Sequence, residues 1–256
     1  MTRTTQPAGP TTTRPRTSTL DRAVLMRLAA TEYERFSTML ATLDARDWSR
    51  PTECPDWDVR AMAGHVLGMA EMAASIREMV RQQSAAKKRG GLPIDALTAV
   101  QVDKNAALSV QELIDRFAVV GPRAARARRR TPGLIRRRSL PDQQNVGGVS
   151  EIWTFGFLID TILTRDPWMH RIDISQATER PLELTADHDG VLVKDVVNEW
   201  AARHGKPCSL RLRGAAGGSW TFGAGGPALD LDAIDFCRTL SGREPATDLL
   251  APQVPF

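Results

Sequence analysis

An up-and-down bundle of four long helices, followed by a small α+β domain, is the fold this sequence predicts: an α region joined to an α/β mix. Three observations predict it. Apolar residues recur at helical intervals over four long stretches before residue 180. After Pro181 the texture changes, and short β-like runs appear around a glycine pair. A hydrophobic fraction of 42% with 25% charged residues over 256 positions is the make-up of an ordinary globular chain with a sizeable core. The expected organisation is a disordered tail over residues 1–18, a helical domain over 19–180 and an α+β domain over 181–256.

The elements follow in order. Residues 1–18 are Thr, Pro and Arg with almost nothing to bury, hence the expectation of disorder. From Leu20 to Leu43 a first amphipathic helix carries Val24, Leu28, Phe36, Met39, Leu40 and Leu43 on one face. The segment Asp47 to Trp57 is dense in proline and turn formers, with Asp56 as a candidate N-cap. A second helix is expected from about Trp57 to Gln83, with Met62, Val66, Met69, Ala73, Ile76 and Val80 as its apolar face. A third helical region lies between Ile94 and Val120 and is expected to stop at Gly121-Pro122. A fourth runs from Trp153 to about Thr178. In the C-terminal part, a helix from Asp187 to Arg203 precedes β-like segments at Cys208–Arg213 and Ser219–Phe222, and a final helix spans Asp232 to Leu240.

Composition excludes several classes. No apolar run approaches the roughly 18 residues of a membrane span, and the N-terminus lacks the apolar stretch of a secretory signal, so a cytoplasmic protein with no membrane partner is expected. Cys54, Cys208 and Cys237 are widely separated and odd in number, which suits free thiols in a reducing compartment and rules out a Cys-rich zinc site. The net charge of +4 is local: eight arginines lie between Arg123 and Arg138, and without them it becomes −4. That segment could contact a polyanion, but it lacks interleaved aromatics and is interrupted by Pro132-Gly133. It reads as an exposed connection, and nucleic acid is not an expected partner.

Two of the four histidines, His65 and His170, stand where the helical pattern calls for an apolar residue. Asp166 lies four residues before His170, on the same side of its helix. A buried carboxylate is costly unless paired or bound to a cation, and one carboxylate with two imidazoles on facing helices meets that cost while leaving a position open. Each residue also has a plainer reading: His65 as a hydrogen-bonded core histidine, Asp166 as the N-cap of a helix beginning at Pro167, Asp173 either as an acceptor for His170 or as a surface ion pair. His188 and His204 read as helix-terminus residues, and Cys54 and Cys237 as packed thiols.

Three segments carry a family resemblance: DWSRPTECPDWDVRAMAGHVLG ending at Gly68, LTRDPWMHRIDI over Leu163–Ile174, and LDLDAIDFCRTLSGR over Leu229–Arg243. In order and spacing they resemble the mycothiol-dependent maleylpyruvate isomerase family, within the DinB-like group of four-helix metal-binding proteins, which ends in a sterol-carrier-like domain. The resemblance implies His65, Asp166 and His170 as ligands of a divalent metal, usually zinc; some members have Glu at the position of Asp166. It also implies mycothiol, a low-molecular-weight thiol, as cosubstrate, and a small-molecule electrophile as its partner. A cation lowers a bound thiol's pKa, and the thiolate is the nucleophilic form. Thiol transfer or conjugation, or thiol-assisted isomerisation, would follow. Arg238 lies in the part of the C-terminal unit that the family uses near its site, and could clamp a substrate carboxylate or be a surface residue near a helix end. The alternatives are a non-catalytic metal or thiol sensor on the same scaffold, or polyanion binding through the arginine segment.

Overall fold

A computed structural model describes residues 14–256. The chain divides into two compact units: one formed by residues 21–131 and 163–183, the other by residues up to 20, 132–162 and 184–256. The division therefore does not fall at a single point near residue 180; the segment 132–162 groups with the C-terminal part. Of the expected tail, residues 1–13 lie outside the described residues. Residues 14–18 are held in place: Arg16 N donates to Ile152 O at 2.8 Å, its guanidinium pairs with Glu151 at 2.8 Å, and the Ser18 and Thr161 hydroxyls are 2.8 Å apart.

In the helical unit, α1 (Arg22–Thr42), α2 (Val59–Ala74), α3 (Ile76–Arg89), α4 (Pro93–Asn105), α5 (Val110–Arg130) and α8 (Leu163–Thr178) pack through α1, α2, α5 and α8 around one core. Phe36 and Leu40 of α1, Met62, Val66 and Leu67 of α2, Phe117 of α5 and Ile174 of α8 are its fully buried centre. α1 and α8 are joined inside by the Arg171–Glu32 pair, whose guanidinium nitrogens donate to the two carboxylate oxygens at 2.8 and 3.2 Å.

Five expectations are corrected in this unit. The second helix does not run unbroken to Gln83: Ser75 is extended and its hydroxyl accepts from Glu78 N, starting α3 afresh. Ile76 and Val80, expected on the buried face, are consequently exposed. The third helical region is two helices, because Ser109 and Glu112 form a capping box that opens α5.

Nor does α5 stop at Gly121-Pro122. Gly121 has ordinary helical φ and packs where a Cβ would lie 3.2 Å from Tyr33 Cβ, so it serves close helix packing and not a C-cap. The helix continues through Arg123 to Arg130, and the arginine segment is therefore not merely an exposed connection: Ala124 and Arg128 are buried, while Arg123, Arg126, Arg129 and Arg130 face solvent. Arg128 is held inside for a definable reason. Pro167, within α8, has no N–H for the carbonyl of Leu163 four residues earlier. Arg128 Nη1 donates to that carbonyl at 2.8 Å, and its Nη2 donates to Thr164 Oγ1.

In the other unit, β1 (Gln144–Val146) and β2 (Val149–Glu151) form a hairpin that the sequence reading passed over, turned by Gly147 and Gly148, both at positive φ. A short helical turn, α6 (Gly133–Arg136), precedes it, and α7 (Phe155–Phe157) with a π-helical turn over Leu158–Ile162 leads into α8. Arg136 pairs with the buried Asp160. After α9 (Asp189–His204) comes a three-stranded sheet of order β4 (Gly218–Phe222), β3 (Cys208–Arg213), β5 (Ala228–Asp232). β3 pairs antiparallel with β4 and parallel with β5. β5 is not expected from the sequence; its run ALDLD is short, and two of its five residues are acidic. α10 (Ala233–Leu240) closes the unit, with Asp232 as N-cap. Trp200, Phe236, Cys208 and Leu240 are buried there, and Trp200 Nε1 donates to Leu249 O at 2.7 Å. Among the described residues no helix is long and apolar enough to cross a membrane.

Candidate metal centre

The site is built from α2 and α8 and from the loop that precedes α2. That loop is fixed by its own backbone: Thr52 N donates to Trp57 O at 3.0 Å, Trp57 N to Cys54 O at 2.9 Å, and Val59 N to Arg50 O at 3.1 Å. Asp58, two residues beyond the expected cap Asp56, accepts from Ala61 N at 2.8 Å and starts α2. His65 is about two turns further on, facing inward beside Met62 and Val66. On α8, Asp166 and His170 are one turn apart. Asp166 is not an N-cap, because helical backbone precedes it from Phe155 onward.

Three side chains converge. His65 Nε2 and His170 Nε2 are each 3.6 Å from Asp166 Oδ2, and the two imidazoles stand nearly perpendicular with centroids 5.3 Å apart. Both histidines are buried, and their ligand atoms and that of Asp166 lie within 4.8 Å of one another. The 3.6 Å separations are too long for hydrogen bonds. They are close to the edge of a tetrahedron whose corners lie at zinc-ligand distance from its centre, about 3.4 Å. One buried carboxylate oxygen between two imidazole nitrogens is a donor set suited to a divalent cation, and the spacing fits it.

The surroundings orient the set. Asp173, fully buried, has Oδ2 3.0 Å from His170 Nδ1, so it is an acceptor for that imidazole and not a surface ion pair. With Nδ1–H donated to Asp173, the lone pair of His170 lies on Nε2, toward Asp166. His65 Nδ1 has no hydrogen-bond partner among the described residues. Trp57 walls the site, its ring centroid 5.0 Å from that of His65 and 5.9 Å from that of His170. The sequence reading did not single out Trp57 for this role. It also read Cys54 as packed; Cys54 is half-buried, and its sulfur lies within 4.8 Å of ligand atoms of His170 and Asp173.

Arg238 belongs to the other unit. It is a buried residue of α10, not a surface one, and its Nη2 donates to Glu244 Oε1 at 2.7 Å. His188 stands at the start of α9, and His204 ends it, with Nδ1 accepting from Lys206 N at 3.0 Å. Burial and the Lys206 charge push the His204 imidazole below its ordinary pKa.

The fold is a helical unit in which two histidines and a carboxylate face one point, followed by a small α+β unit. The family model described as the mycothiol maleylpyruvate isomerase N-terminal domain matches residues 29–175, more than half of the sequence, and the chain belongs to that enzyme family. Among solved structures it is similar to the mycothiol-dependent maleylpyruvate isomerase, at 14% identity and a TM-score of 0.57, over 88% of this chain and 90% of that one. A mutant form of that isomerase is similar over the same shares at 14% identity, with a TM-score of 0.56. At this identity the likeness is one of fold. No curated protein is matched by the sequence.

Proposed function

We propose that the protein is a mycothiol-using, metal-dependent enzyme that transfers the thiol to a small electrophile or uses it to assist an isomerisation, with one divalent metal, zinc, held by His65, Asp166 and His170. The observation that carries this is the convergence of His65 Nε2, Asp166 Oδ2 and His170 Nε2 at spacings longer than hydrogen bonds. Membership of the isomerase family supports the thiol.

A bound divalent cation supplies the charge that lowers a coordinated thiol's pKa and makes it nucleophilic. The chain's own residues do the rest. His65 and His170 bind through Nε2 as neutral imidazoles. Asp173 fixes the tautomer and the angle of His170 by accepting its Nδ1–H. Asp166 contributes the negative charge that the two neutral imidazoles lack. Trp57 covers one side of the pair of rings and excludes water from it, which strengthens every charge interaction inside. Arg238 is retained as a candidate for binding a substrate carboxylate, its guanidinium already poised against one, that of Glu244. Three free cysteines suit a reducing cytoplasm.

The test is consumption of mycothiol against a panel of small electrophiles, comparing metal-loaded and chelator-treated protein by mass spectrometry of the products. The proposal expects turnover that chelation abolishes and metal restores. Metal and thiol binding with no turnover of any electrophile would favour a sensor, and turnover indifferent to chelation would remove the metal from the reaction.

A further inference from the structure

The hairpin between α3 and α4 presents apolar side chains to solvent where polar ones are expected. Leu92 is 68% and Ile94 57% exposed at its tip, and Ile76 and Val80, one turn apart at the start of α3, are 78% and 56% exposed. Single exposed aliphatics are unremarkable, but Leu92 and Ile94 stand together at the tip, with Ile76 and Val80 further back along α3, and adjacent exposed aliphatics mark an interaction surface. The turn is built by Gly90 and Gly91, both at positive φ, and Pro93 opens α4 directly after Leu92.

Charge identifies the partner. Between Glu78 and Asp95 the chain carries Arg81, Lys87, Lys88 and Arg89 and no acidic residue. Arg81 is paired with Glu78 and Arg89 with Asp103, while Lys87 and Lys88, both exposed, have no ion-pair partner among the described residues. A second copy of the chain would bring a second set of the same cations to the interface. An exposed apolar tip directly preceded by exposed cations matches an anionic bilayer: aliphatic side chains enter the acyl boundary while lysines meet the headgroups.

We propose that the α3–α4 hairpin is a peripheral docking element for an anionic phospholipid surface, with Leu92 and Ile94 as the inserting residues and Lys87 and Lys88 as the headgroup contacts. No membrane partner is expected from the sequence, which has no apolar run of spanning length; a peripheral contact needs none. The inference does not depend on the metal centre.

The test is flotation of the full chain with phosphatidylcholine vesicles, with and without phosphatidylglycerol, at low and high salt, beside sedimentation velocity of the free protein. Binding is expected only to the phosphatidylglycerol vesicles and is expected to weaken with salt. Lys87→Glu and Lys88→Glu should each lower partitioning by about fivefold or more, and the Leu92→Asp/Ile94→Asp pair should abolish it. Far-UV circular dichroism should be unchanged in all variants, since these side chains are exposed. Absence of binding, equal binding to neutral vesicles, or a dimer that Leu92→Asp dissolves would each overturn the proposal.

Discussion

Removing the Arg128 side chain should destabilise the helical unit severely, although seven other arginines between Arg123 and Arg138 surround it in sequence. Arg128 Nη1 donates to Leu163 O at 2.8 Å and to Tyr33 Oη at 3.3 Å, and Nη2 donates to Thr164 Oγ1 at 2.5 Å. Its guanidinium also lies over the Tyr33 ring, 5.6 Å from the centroid. Arg128→Ala loses all of these and opens a void. Hydrogen bonds from a charged group contribute about 1.5–3 kcal/mol, and an unmet buried acceptor costs about 1–3 kcal/mol. These overlap, and we expect a loss of about 3–5 kcal/mol, against under about 0.5 kcal/mol for the exposed Arg129→Ala. Urea unfolding followed by far-UV circular dichroism reads both. The mechanism has its own test, because Pro167→Ala restores an N–H to the Leu163 carbonyl. In that background Arg128→Ala should cost about 1–2 kcal/mol less than in the wild type. An Arg128→Ala loss below about 1 kcal/mol, or strict additivity with Pro167→Ala, would refute the reasoning.

Other outcomes follow from the same geometry. Burial works against the charge of Glu151, but hydrogen bonds from Arg16, Trp153 and Arg203 outweigh it and hold the carboxyl below its usual range. A depressed folded pKa means stability that is present above the ordinary value of 4.5 and lost as pH falls through the folded value. Glu151→Gln should therefore cost about 2–4 kcal/mol at neutral pH, with the gap to wild type closing in acid thermal melts. Of the three thiols, Cys54 should react quickly with an aromatic disulfide reagent in the native state, whereas the buried Cys208 and Cys237 should react only on unfolding; Cys54→Ser should remove the fast phase. Asp173→Asn should weaken metal affinity by about 10–100-fold in competition with a chromophoric chelator, with helical content retained.

The periodic parts of the sequence announced their structure, and the corrections share one cause. α1, the start of α2, α8 and α9 follow from apolar spacing, and the inward positions of His65 and His170 follow from the same spacing. The errors arose where local signals of equal strength compete and tertiary packing decides. Gly121-Pro122 is a stop signal in isolation, but the close approach of Tyr33 uses that glycine inside a helix. Arg128 is one of a run of arginines, and only the carbonyl freed by Pro167, 39 positions later, explains its burial. Ser75 breaks a pattern that periodicity alone carried through to Val80. In the site, the three converging side chains were legible because polar groups on an apolar stripe stand out. Trp57 and Cys54 were not, because an aromatic ring and a thiol lie as naturally in a core as beside a metal.

The central claim is that one divalent ion sits between His65, Asp166 and His170, and elemental analysis tests it most directly. The full chain, purified without added metal, would be compared with His170→Ala and Asp166→Ala, with metal measured per chain and helical content checked on the same samples. The account predicts close to one equivalent of metal, chiefly zinc, in the wild type, and nearly none in either variant, with the helical signal kept. Full stoichiometry retained in both variants, or a wild-type chain that takes up no divalent metal even when it is supplied, would contradict it.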